Sequence, residues 1–404
     1  MLLFLVIPQI GLYGIVAVAT AAQNARNRFA LAAAAPALEN IGLITTLVLA
    51  AKIFGRDTRH VSSAYLLFLG AGATMAVALH TAVQCFGAAR AGMPLWPSWK
   101  WTDPAVHAMY RRIIPAIGTA SLDAGWLFAL IVAAGTVPGG VVAIQIGINF
   151  YYLPVALSAK AVGTVLLPRL SREAMGETLV AFRETYDRGV SWAWFVAVPA
   201  SLTLLLFGKP IAQSIAFGEM RRNNGIALLS AAIAALGLAL IGATVFEFAK
   251  QACYARHDVI APLLGCVAMG VIVLIGALVS ASAFHGAAVL AGLGLTVTFG
   301  ELARSIVSDF AARRDTHRVG ASRVQGLVRH AGAAAVTIGP AALLCRVVQH
   351  VIGGHSGAII GVSLGVGGGL IGYLVVQALL GAPELPPRLQ LGAAARERAG
   401  AGAA

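Results

Sequence analysis

Charged residues are scarce in this sequence of 404 residues. Asp, Glu, Lys and Arg together make up only 11% of the chain, and 59% of the residues are hydrophobic. A soluble globular chain carries about 25% charged residues. So few charges cannot cover a surface that faces water, which excludes an ordinary soluble enzyme and indicates a membrane protein.

Cysteines and catalytic motifs are also scarce. The four cysteines show no paired spacing and lie in or beside apolar stretches, so we expect small core side chains and neither disulfides nor a metal site. No metalloprotease, phosphate-loop or paired-cysteine motif occurs. Residues 361–365 match G-x-S-x-G, but a nucleophile elbow needs a strand-to-helix turn and this run is apolar and helical. The sequence therefore predicts no enzyme activity and no cofactor.

Long apolar runs are abundant. A bilayer core needs about 20 mostly apolar residues per helix, and eleven such runs are present. They predict an all-α, polytopic transmembrane bundle of about eleven helices. The segment 383–404, rich in Pro, Ala and Gly, is predicted to be a disordered tail. The runs lie near 1–22, 31–53, 62–88, 109–135, 139–167, 189–215, 225–252, 259–283, 286–311, 328–351 and 356–381.

Basic residues predict the orientation of the bundle. The net charge of +13 is not gathered in one patch, which argues against nucleic acid as a partner. One set of loops holds 21 Lys and Arg residues and the alternate set holds 6. The positive-inside rule then places the N-terminus outside the cell membrane and the C-terminal tail in the cytoplasm. Lys160 and Arg346 lie within helices, and Arg346 is expected to reach the outer headgroups. The six outer residues are Lys52, Arg56, Arg59, Lys209, Arg221 and Arg222.

Two similar segments suggest an internal repeat. Asn24-Ala25-Arg26-Asn27 ends one apolar run, and Tyr254-Ala255-Arg256-His257 ends another 230 residues later with the same orientation. Parallel repeats of this kind are typical of transporters. The offset places the beginning of the first repeat ahead of residue 1. We therefore expect a first half without its first three helices, either because the chain is a fragment or because its start was assigned to an internal Met.

Five segments, in order, resemble the MurJ (MviN) family of the MATE-like (MOP) exporter superfamily. They are Ile7-Pro8-Gln9-Ile10, Asn24 to Phe29, Ala35 to Ile41, Leu166 to Arg172, and Tyr254-Ala255-Arg256 with Asp258 and Pro262. The resemblance implies two six-helix lobes and a terminal helix pair. It divides the chain into the remainder of a truncated N-lobe, a cytoplasmic linker, a C-lobe, a second cytoplasmic linker, the terminal pair and the tail. These are residues 1–90, 91–108, 109–312, 313–327, 328–382 and 383–404.

The resemblance also implies a function. Members of this family are lipid II flippases, so the expected activity is transfer of a lipid-linked peptidoglycan precursor across the cytoplasmic membrane by alternating access of two lobes. The expected partners are the lipid-linked sugar pyrophosphate, membrane lipids and cell-wall synthesis proteins. Membrane potential or an ion gradient would drive turnover. The resemblance implies that the arginines expected to bind pyrophosphate lie on the three N-terminal helices that we expect to be missing here.

Three alternatives stay open. One is export of another lipid-linked glycan or of a metabolite, because Ile148-Asn149 stands where the family often has Asp-Arg. A second is a non-transporting membrane scaffold, because the N-lobe is incomplete. A third is a membrane-embedded enzyme, which the absence of a clustered catalytic set disfavours.

Polar residues inside the apolar runs are candidate cavity residues, because a charge in a bilayer costs about 2.5–3.5 kcal/mol or more. Asp123 would either bind a proton or cation in a cavity or form a hydrogen bond within the bundle. Asn149 would offer hydrogen bonds to the substrate without a charge. Lys160 would either reach the cytoplasmic headgroups or bind pyrophosphate in place of the missing arginines.

Two pairs of charges are spaced by one helical turn. Glu247 and Lys250 would either pair with each other or anchor at the interface, and Glu301 with Arg304 is expected to form a local pair. The segment 169–188 alternates charged and apolar residues, which predicts an amphipathic element on the cytoplasmic interface.

Two further sets of residues are candidates. Asn24, Arg26 and Arg28 lie at a predicted cytoplasmic loop, where the arginines would attract the substrate headgroup or only set topology and contact anionic lipids. Four glycines at intervals of four leave one helix face without side chains, which favours close helix packing; the family resemblance adds a shallow groove for an acyl chain. They are Gly357, Gly361, Gly365 and Gly369.

Overall fold

The computed structural model describes residues 2–26, 28–55, 62–93, 104–176, 179–221, 224–314, 321–386 and 390. Within these residues the chain is α-helical and contains no strand. Eleven of its helical spans are long and apolar enough to cross a membrane. The prediction of an all-α bundle of about eleven membrane helices is therefore confirmed.

The chain divides into two compact units, Met1–Asp103 and Pro104–Ala404. The first unit contains α1, α2, α3 and α4, and α4 packs against each of the other three. At the start of α4, the Ser62 hydroxyl accepts a hydrogen bond from the Tyr65 amide at 3.2 Å, which caps the helix. The helices span Leu2–Val6, Pro8–Ala25, Phe29–Ile53 and Ser63–Arg90.

The second unit contains nine α-helices among its described residues, α5 to α13. A π-helical turn, Ala156–Lys160, joins α6 to α7, and a 3₁₀ turn, Gly218–Arg221, precedes α9. The α-helices span Pro104–Ala134, Gly140–Val155, Ala161–Glu173, Val180–Ile215, Gly225–Ala255, Ile260–Ala283, Ala287–Ala312, Ala321–Ile352 and Gly354–Leu379.

Helix α9 is the core of the second unit and packs against α6, α8 and α11. Small residues allow this close packing, as they do in many membrane proteins. A Cβ atom added to Gly242 would lie 2.9 Å from the backbone carbon of Glu301, and one added to Gly294 would lie 2.4 Å from the Ala235 Cβ. Glycine at these positions therefore holds α9 and α11 in backbone contact.

The terminal pair, α12 and α13, packs along the glycine ladder. Gly353 and Gly354 join the two helices with φ angles of 68° and 59°, in the left-handed region that glycine adopts without strain. All four ladder glycines are buried. A Cβ at Gly361 would lie 2.9 Å from the Cys345 carbonyl oxygen, and one at Gly365 would lie 3.0 Å from that of Ala341. The ladder therefore faces α12.

We expect Gly365→Ala to lower the melting temperature of the purified chain in detergent. The new methyl group would also lie 2.6 Å from the Phe207 ring, and overpacking of this kind costs about 1–3 kcal/mol. Gly368→Ala is the matched control, because nothing lies within 4 Å of a Cβ there. The control should leave stability unchanged or raise it, since Ala favours helix more than Gly does. Equal melting temperatures for the two variants would contradict close packing at the ladder.

Two predicted linkers are shorter in the structure. Helix α5 already begins at Pro104, inside the predicted linker 91–108, and proline is favoured at the first turn of a helix. Helix α12 begins at Ala321, inside the predicted linker 313–327. Residues 94–103 and 315–320 lie outside the described part of the chain.

The segment 169–188 does not form one interfacial element. Helix α7 ends at Glu173 and α8 begins at Val180. Leu170, Phe182 and Tyr186 are buried in the hydrophobic core of the second unit. The predicted single amphipathic element is therefore two helix ends whose apolar side chains pack against neighbouring helices, and its placement at the cytoplasmic interface stays a prediction.

Candidate functional site

A buried group of charged and polar side chains lies inside the second unit. We call Asp123, Tyr151, Glu301 and Arg304 the Arg304 cluster. The Arg304 guanidinium donates to Asp123 Oδ1 at 2.8 Å through Nη1 and to Glu301 Oε2 at 2.6 Å through Nε. Its Nη2 donates to Glu301 Oε1, which also accepts from the Tyr151 hydroxyl. The cluster connects α5, α6 and α11 through residues up to 181 positions apart.

Arg304 is buried among these partners. Glu301 is 0% exposed and Arg304 is 4% exposed, whereas the Asp123 side chain is 34% exposed. The guanidinium also lies 4.0 Å from the centroid of the Phe246 ring, a favourable cation–π contact. With both carboxylates ionised, the cluster has one more negative than positive charge. The cluster can therefore join three helices while leaving one side of Asp123 accessible.

Both charge pairs spaced by one helical turn form in the structure. Lys250 Nζ lies 2.8 Å from Glu247 Oε1, and both side chains are mostly buried. Glu301 and Arg304 form the local pair described above, but they also contact Asp123 and Tyr151. The Glu247–Lys250 pair lies on α9, which is the most buried helix of this unit.

The other predicted site residues are scattered. Asn149 is exposed on α6. Lys160 ends the π-helical turn, and its side chain lies outside the described part of the structure. Asn24, Arg26 and Arg28 are exposed where α2 ends and α3 begins, in the first unit. Asn149 is therefore a surface residue of the second unit and is not one of the buried residues of the Arg304 cluster.

Arg28 lines a cavity of 560 Å³ at one end of the first unit. Gln23 and Arg90 line the same cavity. Two guanidinium groups here can attract an anionic headgroup, which is one of the two roles considered for Arg28. Arg26 does not line this cavity.

The first unit contains a polar network that the sequence patterns did not predict. The Tyr13 hydroxyl donates to Glu39 Oε1 at 2.5 Å, and His80 Nδ1 lies 2.7 Å from Glu39 Oε2. Gln23 Nε2 donates to Gln84 Oε1 at 2.6 Å. The signal that could have revealed this network is the presence of Glu39 and His80 inside long apolar runs, where a charge needs a partner.

A largely apolar groove of 650 Å³ lies between α6, α8 and α13. Its lining includes Phe150, Leu153, Pro199, Val366 and Leu370. Gly367 also lines it, whereas the four ladder glycines do not. The ladder and the groove therefore occupy different faces of α13.

The chain after α13 remains ordered at its beginning. Glu384 is 7% exposed and accepts hydrogen bonds from Ser191 Oγ at 2.6 Å and Arg329 Nη2 at 2.5 Å. His330 Nε2 lies 3.5 Å from the same carboxylate. The predicted disordered tail therefore begins too early, because residues 383–386 are held against α8 and α12. Residues 387–389 and 391–404 lie outside the described structure.

The environment of Glu384 stabilises its charged form. Burial raises the pKa of this carboxyl, but the nearby His330 imidazole and hydrogen bonds from Ser191 and the backbone outweigh burial and lower the pKa to about 2. A carboxyl whose pKa is lower in the folded state stabilises the fold above its unfolded pKa and loses that contribution as the pH falls. The change from 4.5 to about 2 corresponds to about 3 kcal/mol.

We expect Glu384→Gln to lower the melting temperature at pH 7 but much less at pH 3. The wild-type contribution should decline as the pH falls below 4.5 towards 2. Melting of both proteins in the same detergent across this range measures the difference. Glu184→Gln is the control, because Glu184 is exposed on α8 and should have little effect at either pH. A Glu384→Gln effect of equal size at pH 7 and pH 3 would contradict the assignment.

These features define a multi-pass α-helical membrane protein. Its described residues include eleven candidate membrane helices, ion pairs inside them and an apolar groove against the terminal pair. The profile of the family described as lipid II flippase MurJ matches residues 1–360. The chain belongs to the lipid II flippase MurJ family, whose members are transporters rather than enzymes.

Individual relatives agree with this assignment. The chain is 24% identical over 277 residues to the probable lipid II flippase MurJ of Haemophilus influenzae, an alignment that covers 67% of this chain and 53% of the relative. It is 24% identical over 275 residues to the lipid II flippase MurJ of Burkholderia cenocepacia, covering 66% and 51%. The chain thus spans about half the length of these curated relatives.

A solved structure shows the same fold. The lipid II flippase MurJ in an inward closed conformation superposes with a TM-score of 0.69 and 14% sequence identity. The match covers 94% of this chain and 73% of that structure. The predicted resemblance to the family and its fold is therefore confirmed.

Proposed function

We propose that this chain acts in the transfer of lipid II across the cytoplasmic membrane. Membership of the flippase family over 360 residues supports this function, and the apolar groove of 650 Å³ is the observation that carries it. A lipid-linked sugar has a long hydrocarbon tail, and each buried CH₂ group contributes about 0.8 kcal/mol. The groove would hold part of this tail while the polar headgroup crosses.

The charged side chains would serve the headgroup and the bundle in different ways. Arg28 and Lys160 would attract the pyrophosphate, and Asn149 would offer it a hydrogen bond. Asp123 would sense a cation, a proton or the membrane potential through its accessible side, while Arg304 ties it to α11. The N-terminus would lie outside the plasma membrane and the C-terminus in the cytoplasm, as the distribution of basic residues predicts.

A second candidate function is export of another lipid-linked glycan or of a metabolite. The exposed Asn149, preceded by Ile148, stands where the family often has Asp-Arg, and an amide cannot form the charge-assisted bond that an arginine makes with phosphate. A scaffold that binds without transporting is the third candidate, because the chain spans about half the length of its curated relatives.

Reconstitution into liposomes tests the proposal. Fluorescent lipid II is placed in both leaflets, and a membrane-impermeant quencher reports how fast the protected fraction becomes accessible. We expect the purified chain to accelerate this exchange over protein-free liposomes. Binding of lipid II with no acceleration would overturn transport in favour of a scaffold, and acceleration of another lipid-linked glycan alone would favour the second candidate.

A further inference from the structure

A polar cavity of 450 Å³ lies at the other end of α12 from Glu384. It forms where α8 ends, where α12 ends and where α13 begins. Four of its lining side chains are cationic or become so on protonation, and among the described residues no acidic side chain lines it. These four are Arg221, Arg346, His350 and His355.

Two nitrogen atoms in the lining are buried without a hydrogen-bond partner. They are Nε2 of Gln349 and Nε2 of His355. His355 Nδ1 lies 3.2 Å from the Gln213 carbonyl oxygen, which can only accept, so Nδ1 carries a hydrogen. Protonation of His355 would then make Nε2 a second donor. An edge-on contact with the Phe217 ring, 4.9 Å between centroids, also holds the imidazole in place.

An unsatisfied buried donor costs about 1–3 kcal/mol. The amide group of Gln349 can only donate through Nε2, so its missing partner must be an acceptor. An anion in the cavity would accept from Gln349 and from protonated His355 together. The first turn of α13, which begins at Gly354, adds backbone N–H groups and a partial positive charge at the same place.

The position of the arginines points the same way. By the positive-inside rule this end of the bundle is the outer one, where Lys and Arg are disfavoured. Arg221 is nevertheless one of only six basic residues in the predicted outer loops, and it lines the same cavity as Arg346 on α12. Topology does not require these two charges, and bringing them together is unfavourable unless an anion separates them.

We propose that this cavity binds a phosphate group, either in the headgroup of an anionic membrane lipid or in a soluble phosphate. Arginine guanidinium groups bind phosphate oxygens through paired hydrogen bonds, and Gln349 and His355 would complete the shell. A cavity of 450 Å³ has ample room, since one water molecule occupies about 30 Å³ in the liquid. The site is separate from the apolar groove and does not depend on the proposed transport.

The test compares the wild-type chain with the double variant Arg221→Gln/Arg346→Gln. Lys209→Gln is the matched control, because Lys209 is an exposed cation at the same end of α8 that does not line the cavity. Native mass spectrometry with added dioleoylphosphatidylglycerol measures lipid binding, and melting with inorganic phosphate or pyrophosphate measures the soluble ligands. We expect the double variant to bind the preferred probe at least about tenfold more weakly, the equivalent of about 1.4 kcal/mol, and the control to bind normally.

The two sources of phosphate give different results. Loss of a bound phosphatidylglycerol with no effect of soluble phosphate assigns the site to a lipid, and loss of stabilisation by pyrophosphate assigns it to a soluble anion. Gln349→Ala, which leaves the charge unchanged, should also weaken binding, and it replaces the double variant if that protein does not fold. Binding that is unchanged in the folded variants for all three probes would overturn the site.

Discussion

Arg304→Met should destabilise the second unit by about 3–5 kcal/mol, the usual cost of removing one partner from a buried ion pair. Arg304 is the shared partner of Glu301 and Asp123. Without it, Glu301 would remain a carboxylate with 0% exposure and one hydrogen bond, from Tyr151. Unfolding of the purified chain by heat or denaturant in detergent measures the loss.

A second variant separates the loss of a charge pair from the loss of packing. Glu301→Leu/Arg304→Met removes both charges, so it should be less destabilised than Arg304→Met alone. Lys250→Met is the matched control, because Lys250 pairs with Glu247 but both side chains keep some exposure, 19% and 15%. The control should therefore cost less than Arg304→Met. A double variant less stable than Arg304→Met would argue against an uncompensated carboxylate as the cause.

Gly367→Phe should reduce lipid II transfer in liposomes by at least about tenfold. Nothing lies within 4 Å of a Cβ at this position, so the ring can extend into the groove without disturbing the helix pair. Each CH₂ group displaced from the groove costs about 0.8 kcal/mol, and two of them correspond to about a tenfold loss. The exchange assay with fluorescent lipid II measures the rate.

Gly368→Phe is the control for this experiment. Gly368 also has open space around an added Cβ, but it does not line the groove. Its rate of transfer should stay close to that of the wild-type chain. A wild-type rate in both phenylalanine variants would show that the groove holds no tail, and an equal loss in both would point to a general disturbance of α13.

Much of the fold was predictable because membrane helices are local structures. A spanning helix satisfies its own backbone hydrogen bonds and needs about 20 apolar residues, so runs such as Gly225–Ala255 stand out in the sequence. Pairs such as Glu247–Lys250 follow from helical geometry, since residues three apart share a face. The ends of helices were less predictable: α5 and α12 begin earlier than hydropathy indicates because their first turns contain polar and basic residues such as His107 and Arg323.

The sequence by itself determined the number of candidate membrane helices, the local charge pairs and the family. Only the tertiary structure showed that Asp123 contacts Arg304 across 181 residues, that Glu384 returns to Ser191, and that Arg221 and Arg346 line one cavity. The sequence does not predict these contacts because the lipid and the protein interior are both apolar. Hydrophobic pattern therefore does not reveal which face of a membrane helix points inward, and contacts between distant helices depend on that rotation.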